Sequence, residues 1–83
     1  MKLIRTDQFA QNLQQLRSES GLSQYQLVQK MQLLGSTMSR GTYSKIELGM
    51  ANIKVTDLAI LQQIYKADYS RFFENVILAD TID

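Results

Sequence analysis

The chain has no cysteine, no histidine and no proline among its 83 residues. Without cysteine there is no disulfide staple and no thiol chemistry. Without histidine as well, the ordinary transition-metal ligands, the nucleophile–histidine pair and the usual general base are all missing. Enzyme function is therefore remote, and no metal or cofactor is expected. Glycine is scarce and unevenly placed: Gly21, Gly35, Gly41 and Gly49 all fall within the first fifty residues. No apolar run approaches the length that spans a bilayer. The opening Met1-Lys2-Leu3-Ile4-Arg5-Thr6-Asp7 turns polar too early for a signal peptide. A soluble, cytoplasmic protein is expected. At this length it is a single domain whose core is marginal and which a second subunit could enlarge.

The net charge of +1 conceals an uneven distribution. Residues 22–54 hold Lys30, Arg40, Lys45 and Lys54 against Glu47 alone, a net of +3. Residues 55–83 hold Lys66 and Arg71 against Asp57, Asp68, Glu74, Asp80 and Asp83, a net of −3. A basic middle beside an acidic end suits one face turned to a polyanion and another turned away. Ordinary solvated charge is the plainer alternative.

The basic middle contains two helix starts of one design. In Leu22-Ser23-Gln24-Tyr25-Gln26-Leu27 and in Met38-Ser39-Arg40-Gly41-Thr42-Tyr43, a serine suited to N-capping follows an apolar residue. A second apolar residue lies five positions after the first, where the two can staple the helix entry. Gln26, three residues after Ser23, completes a capping box. Upstream, Thr6 and Asp7 can open a first helix whose face is Phe9, Leu13 and Leu16, with Gly21 as its stop. The second helix buries Leu27, Val28, Met31 and Leu34 and ends at Gly35. The third runs to about Leu48 and stops at Gly49. Its Thr42, Tyr43 and Ile46 share one side, while Arg40, Gly41, Ser44, Lys45 and Leu48 share another that excludes acidic residues, with Glu47 at the margin. Thr56 and Asp57 can cap a fourth helix, with Val55 and Ile60 repeating the staple and Leu58, Leu61, Ile64 and Tyr65 buried. Asp68 can cap a fifth, with Phe72, Phe73, Val76 and Ile77 as its apolar positions. No strand pattern competes, so the expectation is all-α. Two short capped helices joined by a turn, the second basic outside, form the pattern of a helix-turn-helix.

From about Phe9 to Phe73 the chain resembles the Cro/C1-type, or xenobiotic-response-element, family of bacterial regulators. Asn12-Leu13-Gln14-Gln15-Leu16-Arg17, then Gly21-Leu22-Ser23-Gln24, is similar to that family's first helix and its entry to the second. Ser39-Arg40-Gly41-Thr42-Tyr43-Ser44-Lys45-Ile46-Glu47-Leu48-Gly49 is similar to its recognition helix, which closes with Ile-Glu-x-Gly. Leu58 to Phe73 is similar to its last two helices. The resemblance implies a five-helix, lambda-repressor-like, DNA-binding domain whose second and third helices form the helix-turn-helix. Residues 74–83 would extend the fifth helix and form a tail. The resemblance further implies that Arg40, Gly41, Ser44 and Lys45 face base edges. Gln24, Thr42, Asn52 and Lys54 would lie near phosphates. The chain departs from the family in two places. Gln32 to Met38 make the connection about five residues longer than the compact turn, with Leu33 and Leu34 extending the second helix. Gly41 replaces a side chain that could read a base.

Physical chemistry supports these roles. Arg40 can donate two parallel hydrogen bonds to guanine O6 and N7, and Lys45 can donate to the same acceptors. Ser23 and Gln24 sit at a helix N-terminus, where free N–H groups and the dipole favour phosphate. For Gln24 a plain first-turn position is an equal alternative. One domain with so few cations holds DNA weakly at physiological salt, so a homodimer on a palindromic operator is expected. Phe72, Phe73, Val76 and Ile77 are the candidate dimer interface; the alternative is that they close the monomer core. The leading expectation is a sequence-specific regulator, a repressor. Its rival is a protein-interaction module of the same fold, an antitoxin or adaptor. No small-molecule effector site is evident.

Overall fold

The computed structural model describes residues 7–76. Thr6 and Ile77 therefore lie outside the described residues. Within them stand five helices and no strand: α1 (Asp7–Glu19), α2 (Gln24–Leu33), α3 (Arg40–Glu47), α4 (Val55–Tyr65) and α5 (Tyr69–Phe72). α3 packs against both α1 and α2, α4 against α2, and α5 against α1.

Ser23 and Ser39 start α2 and α3 as the sequence predicts. Ser23 Oγ accepts from Gln26 N at 3.1 Å, and Gln26 Oε1 accepts from Ser23 N at 2.9 Å, so the capping box closes in both directions. Ser39 Oγ accepts from Thr42 N at 3.2 Å. Leu27, Met38 and Tyr43 of the two apolar pairs are buried, and Leu22 packs against them partly covered. The end of α2 is equally local in origin. Gly35 N donates to Gln32 O and Ser36 N to Met31 O, each at 3.0 Å, with Gly35 at φ +104°. This two-bond Schellman closure wants a left-handed residue, which glycine supplies without a Cβ clash. Gly21 and Gly49 close α1 and α3 by the same pair of bonds.

Three expectations need correction. Leu34 does not join the buried face of α2; it is the C-cap and half exposed. α4 is not capped by Thr56 or Asp57. Its N-cap is Lys54, with no side-chain hydrogen bond, and Val55 is 81% exposed. The positions that bracket the entry are Ile53 and Leu58, both packed against the core, two residues earlier than Val55 and Ile60. The last helix begins where predicted, Asp68 Oδ1 accepting from Ser70 N at 3.1 Å, but ends at Phe72. Asn75, at φ +62°, turns the chain away from a longer helix.

Leu13, Leu16, Leu27, Val28, Met31, Met38, Tyr43, Ile46, Leu61 and Phe72 form one core drawn from all five helices and the α2–α3 turn. A buried amide secures the C-terminal side. Asn12 Nδ2 donates to the carbonyls of Phe72 at 3.0 Å and Glu74 at 2.9 Å, while its oxygen accepts from Gln8 Nε2 at 3.0 Å. All of its stronger bonding capacity is engaged, as burial of an amide requires.

Candidate nucleic-acid interface

α3 divides cleanly around its axis. Tyr43, Ile46 and Glu47 are buried. Arg40, Gly41, Thr42 and Lys45 are exposed, and Ser44 is partly so. Arg40, Lys45 and Lys54 form no ion pair among the described residues. Their charge is thus uncompensated and available. The helical glycine is bare for no internal reason: a Cβ built on Gly41 meets nothing within 4 Å.

Glu47, the only acid of α3, does not sit at the margin of the exposed arc. It is 3% exposed and forms the hub of a buried polar network. Arg17 grips its carboxylate with two parallel bonds, Nε to Oε2 at 2.8 Å and Nη2 to Oε1 at 3.0 Å. Gln24 Nε2 donates to Oε1 at 2.9 Å, and the Tyr43 hydroxyl donates to Oε2. Gln14 Nε2 donates to the Glu47 carbonyl at 2.6 Å, and Arg17 Nη1 to Leu22 O at 3.0 Å. Burial pushes the Glu47 carboxyl up, but the bonds from Arg17, Tyr43 and Gln24 outweigh it and hold it below the ordinary glutamate value. Burial, together with the neighbouring Tyr65 and Glu47, pushes the Tyr43 hydroxyl well above the usual tyrosine value. One carboxylate therefore fixes α3 to α1 and to the first residue of α2. It also removes the sole negative charge from the outer face of α3.

Sequence reading missed this hub. Glu47 read as a rim residue, and Arg17 was given no role beyond its place in the first helix. A signal did exist: Arg17 lies one turn after the buried Leu13, so its stem borders the core side of α1.

The structure gathers some of the predicted phosphate contacts and separates others. Thr42, Asn52 and Lys54 line one cleft of about 210 Å³ with Thr37, Met38, Ser39 and Asp57. Two of these lining residues are tied together by Ser36, whose Oγ donates to Asp57 Oδ1 at 2.7 Å and accepts from Met38 N at 3.0 Å. Ser23 and Gln24 stand at the other helix start, outside this cleft. One Nε2 hydrogen of Gln24 is committed to Glu47, which leaves for phosphate its second hydrogen and the backbone N–H groups of Gln24 and Tyr25, since that of Gln26 bonds Ser23. Of the predicted dimer residues, Phe72 is fully buried in the domain's own core and presents no surface. Phe73 is half exposed, its ring 5.4 Å from that of Phe9, and Val76 is partly covered. Ile77 lies outside the described residues. No helix among the described residues is long and apolar enough to cross a membrane.

No curated protein and no solved structure matches the chain. A family model described as a helix-turn-helix domain matches residues 8–71. That span runs from the start of α1 into α5 and includes the two capped helices, the turn between them and the basic outer face of α3. The chain belongs to the helix-turn-helix domain family, and is on that basis a DNA-binding domain.

Proposed function

We propose that this domain is a sequence-specific transcriptional regulator of the Cro/C1 type that inserts α3 in the DNA major groove and acts as a repressor. The observation that carries this reading is the outer face of α3: Arg40 and Lys45 exposed and, among the described residues, unpaired, with Glu47 turned inward and neutralised. This arrangement suits a DNA-reading helix, because an exposed carboxylate would weaken attraction to the phosphates. Arg40 and Lys45 donate to guanine acceptors, Ser44 to either strand's edges, and Gly41 lets the helix backbone approach. Thr42, Asn52 and Lys54 meet phosphate at the cleft, Ser23 and Gln24 at the start of α2. Repression by occupancy requires nothing beyond this binding. The chain works as a homodimer on a palindrome with half-sites about 34 Å apart, pairing through the half-exposed Phe73 and its neighbours Val76 and Ile77.

Selection from a random duplex pool tests this reading. An enriched palindrome is expected. Arg40→Ala should relax base preference at one position of each half-site, at a cost of about 1–3 kcal/mol per contact. No enrichment, or enrichment indifferent to both Arg40→Ala and Lys45→Ala, would remove α3 as the reader.

A further inference from the structure

Leu48 takes no part in the core, yet it lies within the outer face of α3. It is the C-cap of that helix and is 65% exposed. Its N–H still donates to Ser44 O at 3.1 Å, so the helical register carries through to it. With Arg40 set at zero and about 100° per residue, Ser44 falls near 40°, Leu48 near 80°, Gly41 near 100° and Lys45 near 140°. The leucine therefore occupies the middle of the arc, flanked by two cations. The buried Ile46 and Tyr43, at about 240° and 300°, lie on the opposite side, and Glu47, at about 340° beside Arg40, is buried too.

A single exposed leucine is ordinary. Two observations set this one apart. Gly41 lies on the same stripe about two turns before it and is bare although nothing in the protein occupies the space a Cβ would take. The stripe is thus open on the N-terminal side of the exposed leucine. The groups around that strip, Arg40, Ser44 and Lys45, carry donors and positive charge with no exposed carboxylate. A second copy of this face would be repelled by them, whereas a polyanion with an apolar spot would be complementary. In the major groove the distinctive apolar group on base edges is the thymine C5-methyl.

We infer that Leu48 reads a thymine methyl, which makes it a specificity-determining residue alongside Arg40 and Lys45. This rests on the DNA-reading role of α3 proposed above. The test begins with the duplex selected by the full chain. Each thymine is then replaced by deoxyuridine, which deletes the methyl alone, and binding is compared for wild type, Leu48→Ala and Leu48→Met. At one or two positions the replacement should weaken wild-type binding about fourfold, the worth of burying one methyl-sized group. Leu48→Ala should be indifferent to uracil there, and Leu48→Met should keep much of the sensitivity. Because Leu48 is exposed, both variants should fold, which circular dichroism checks. A thymine scan that affects wild type and Leu48→Ala equally overturns the inference while leaving the reader role of α3 intact. So does a uniform loss of affinity in Leu48→Ala accompanied by weaker self-association, which would make Leu48 a contact between copies. Failure to select any duplex overturns both proposals together.

Discussion

Glu47 carries more of the structure than any other polar residue, because three donors from three places converge on one buried carboxylate. Replacing it with glutamine keeps the shape but leaves the Arg17 guanidinium without its counter-charge. Breaking a buried pair in this way costs about 3 kcal/mol, the low end of the range, since Arg17 retains some solvent contact. The melting temperature of Glu47→Gln should fall by about 12 °C or more. The pH dependence has a definite sign. A carboxyl whose folded-state pKa is depressed contributes stability above its unfolded value, near 4.5, and loses it as pH falls through the folded value. Wild type should therefore lose stability steeply below about pH 4.5, and Glu47→Gln should lose less over the same window. Melting curves between pH 3 and pH 7 (roughly the span in which carboxylates titrate) measure both effects. Gly41 makes the opposite case. Gly41→Ala fills empty space on a helix, so it should raise stability by up to about 1 kcal/mol. If the bare position serves an approaching DNA backbone, the same variant should bind the selected duplex more weakly. A variant that is more stable and binds as well as wild type would leave Gly41 without a role in contact.

At the level of helices, the structure separates what short-range chemistry determines from what it does not. The starts of α2, α3 and α5 were legible because a serine or aspartate cap and the backbone N–H that donates to it lie within three residues. The stops at Gly21, Gly35 and Gly49 were legible for the same reason. Leu33 did extend α2 ahead of the turn, as the extra leucines suggested. The start of α4 was misread because Thr56 and Asp57 resemble a cap, while the packing of Ile53 and Leu58 placed the entry two residues earlier. Asp57 was instead taken up by Ser36, across twenty-one residues of chain. The exposed arc of α3 followed from helical periodicity alone. The buried hub did not, since Arg17 and Glu47 are thirty residues apart and nothing local marks them as partners. Asn12 was hidden for the same reason, its two carbonyl acceptors lying sixty and sixty-two residues away. Asn12→Leu should cost about 2 kcal/mol, because it leaves those carbonyls without a donor. Urea denaturation would register this as a lower midpoint at unchanged slope, with faster amide exchange around residues 72–76 as the local signature. Equal stability of Asn12→Leu would mean that water satisfies the carbonyls without loss.

Across the whole molecule, the distribution of charge decides how the domain meets DNA. The cations on the reading side are few: Arg40 and Lys45 on α3, and Lys54 at the edge of the neighbouring cleft. Only Lys54 among the proposed phosphate contacts bears a full charge, the others being Ser23, Gln24, Thr42 and Asn52. Each phosphate neutralised by such a cation contributes about −0.9 to the slope of log affinity against log salt on duplex DNA. This makes Lys54 a gauge of stoichiometry. If two copies engage one palindrome, Lys54→Ala should flatten the salt slope by about 2, one for each half-site, and weaken all sequences alike. A single bound copy should lose only about 1. The measurement is a set of binding isotherms on the selected duplex between about 50 and 200 mM salt, for wild type and Lys54→Ala. Phe73→Asp supplies the control, since it places a charge on a half-exposed residue of the proposed pairing surface without altering the reading face. On the dimer model it should lower affinity for the full palindrome, leave a half-site duplex unaffected, and reduce the Lys54→Ala slope change from about 2 to about 1. A slope change near 1 in the wild-type background would instead mean that one copy binds alone, and the palindrome would then have no counterpart in the protein.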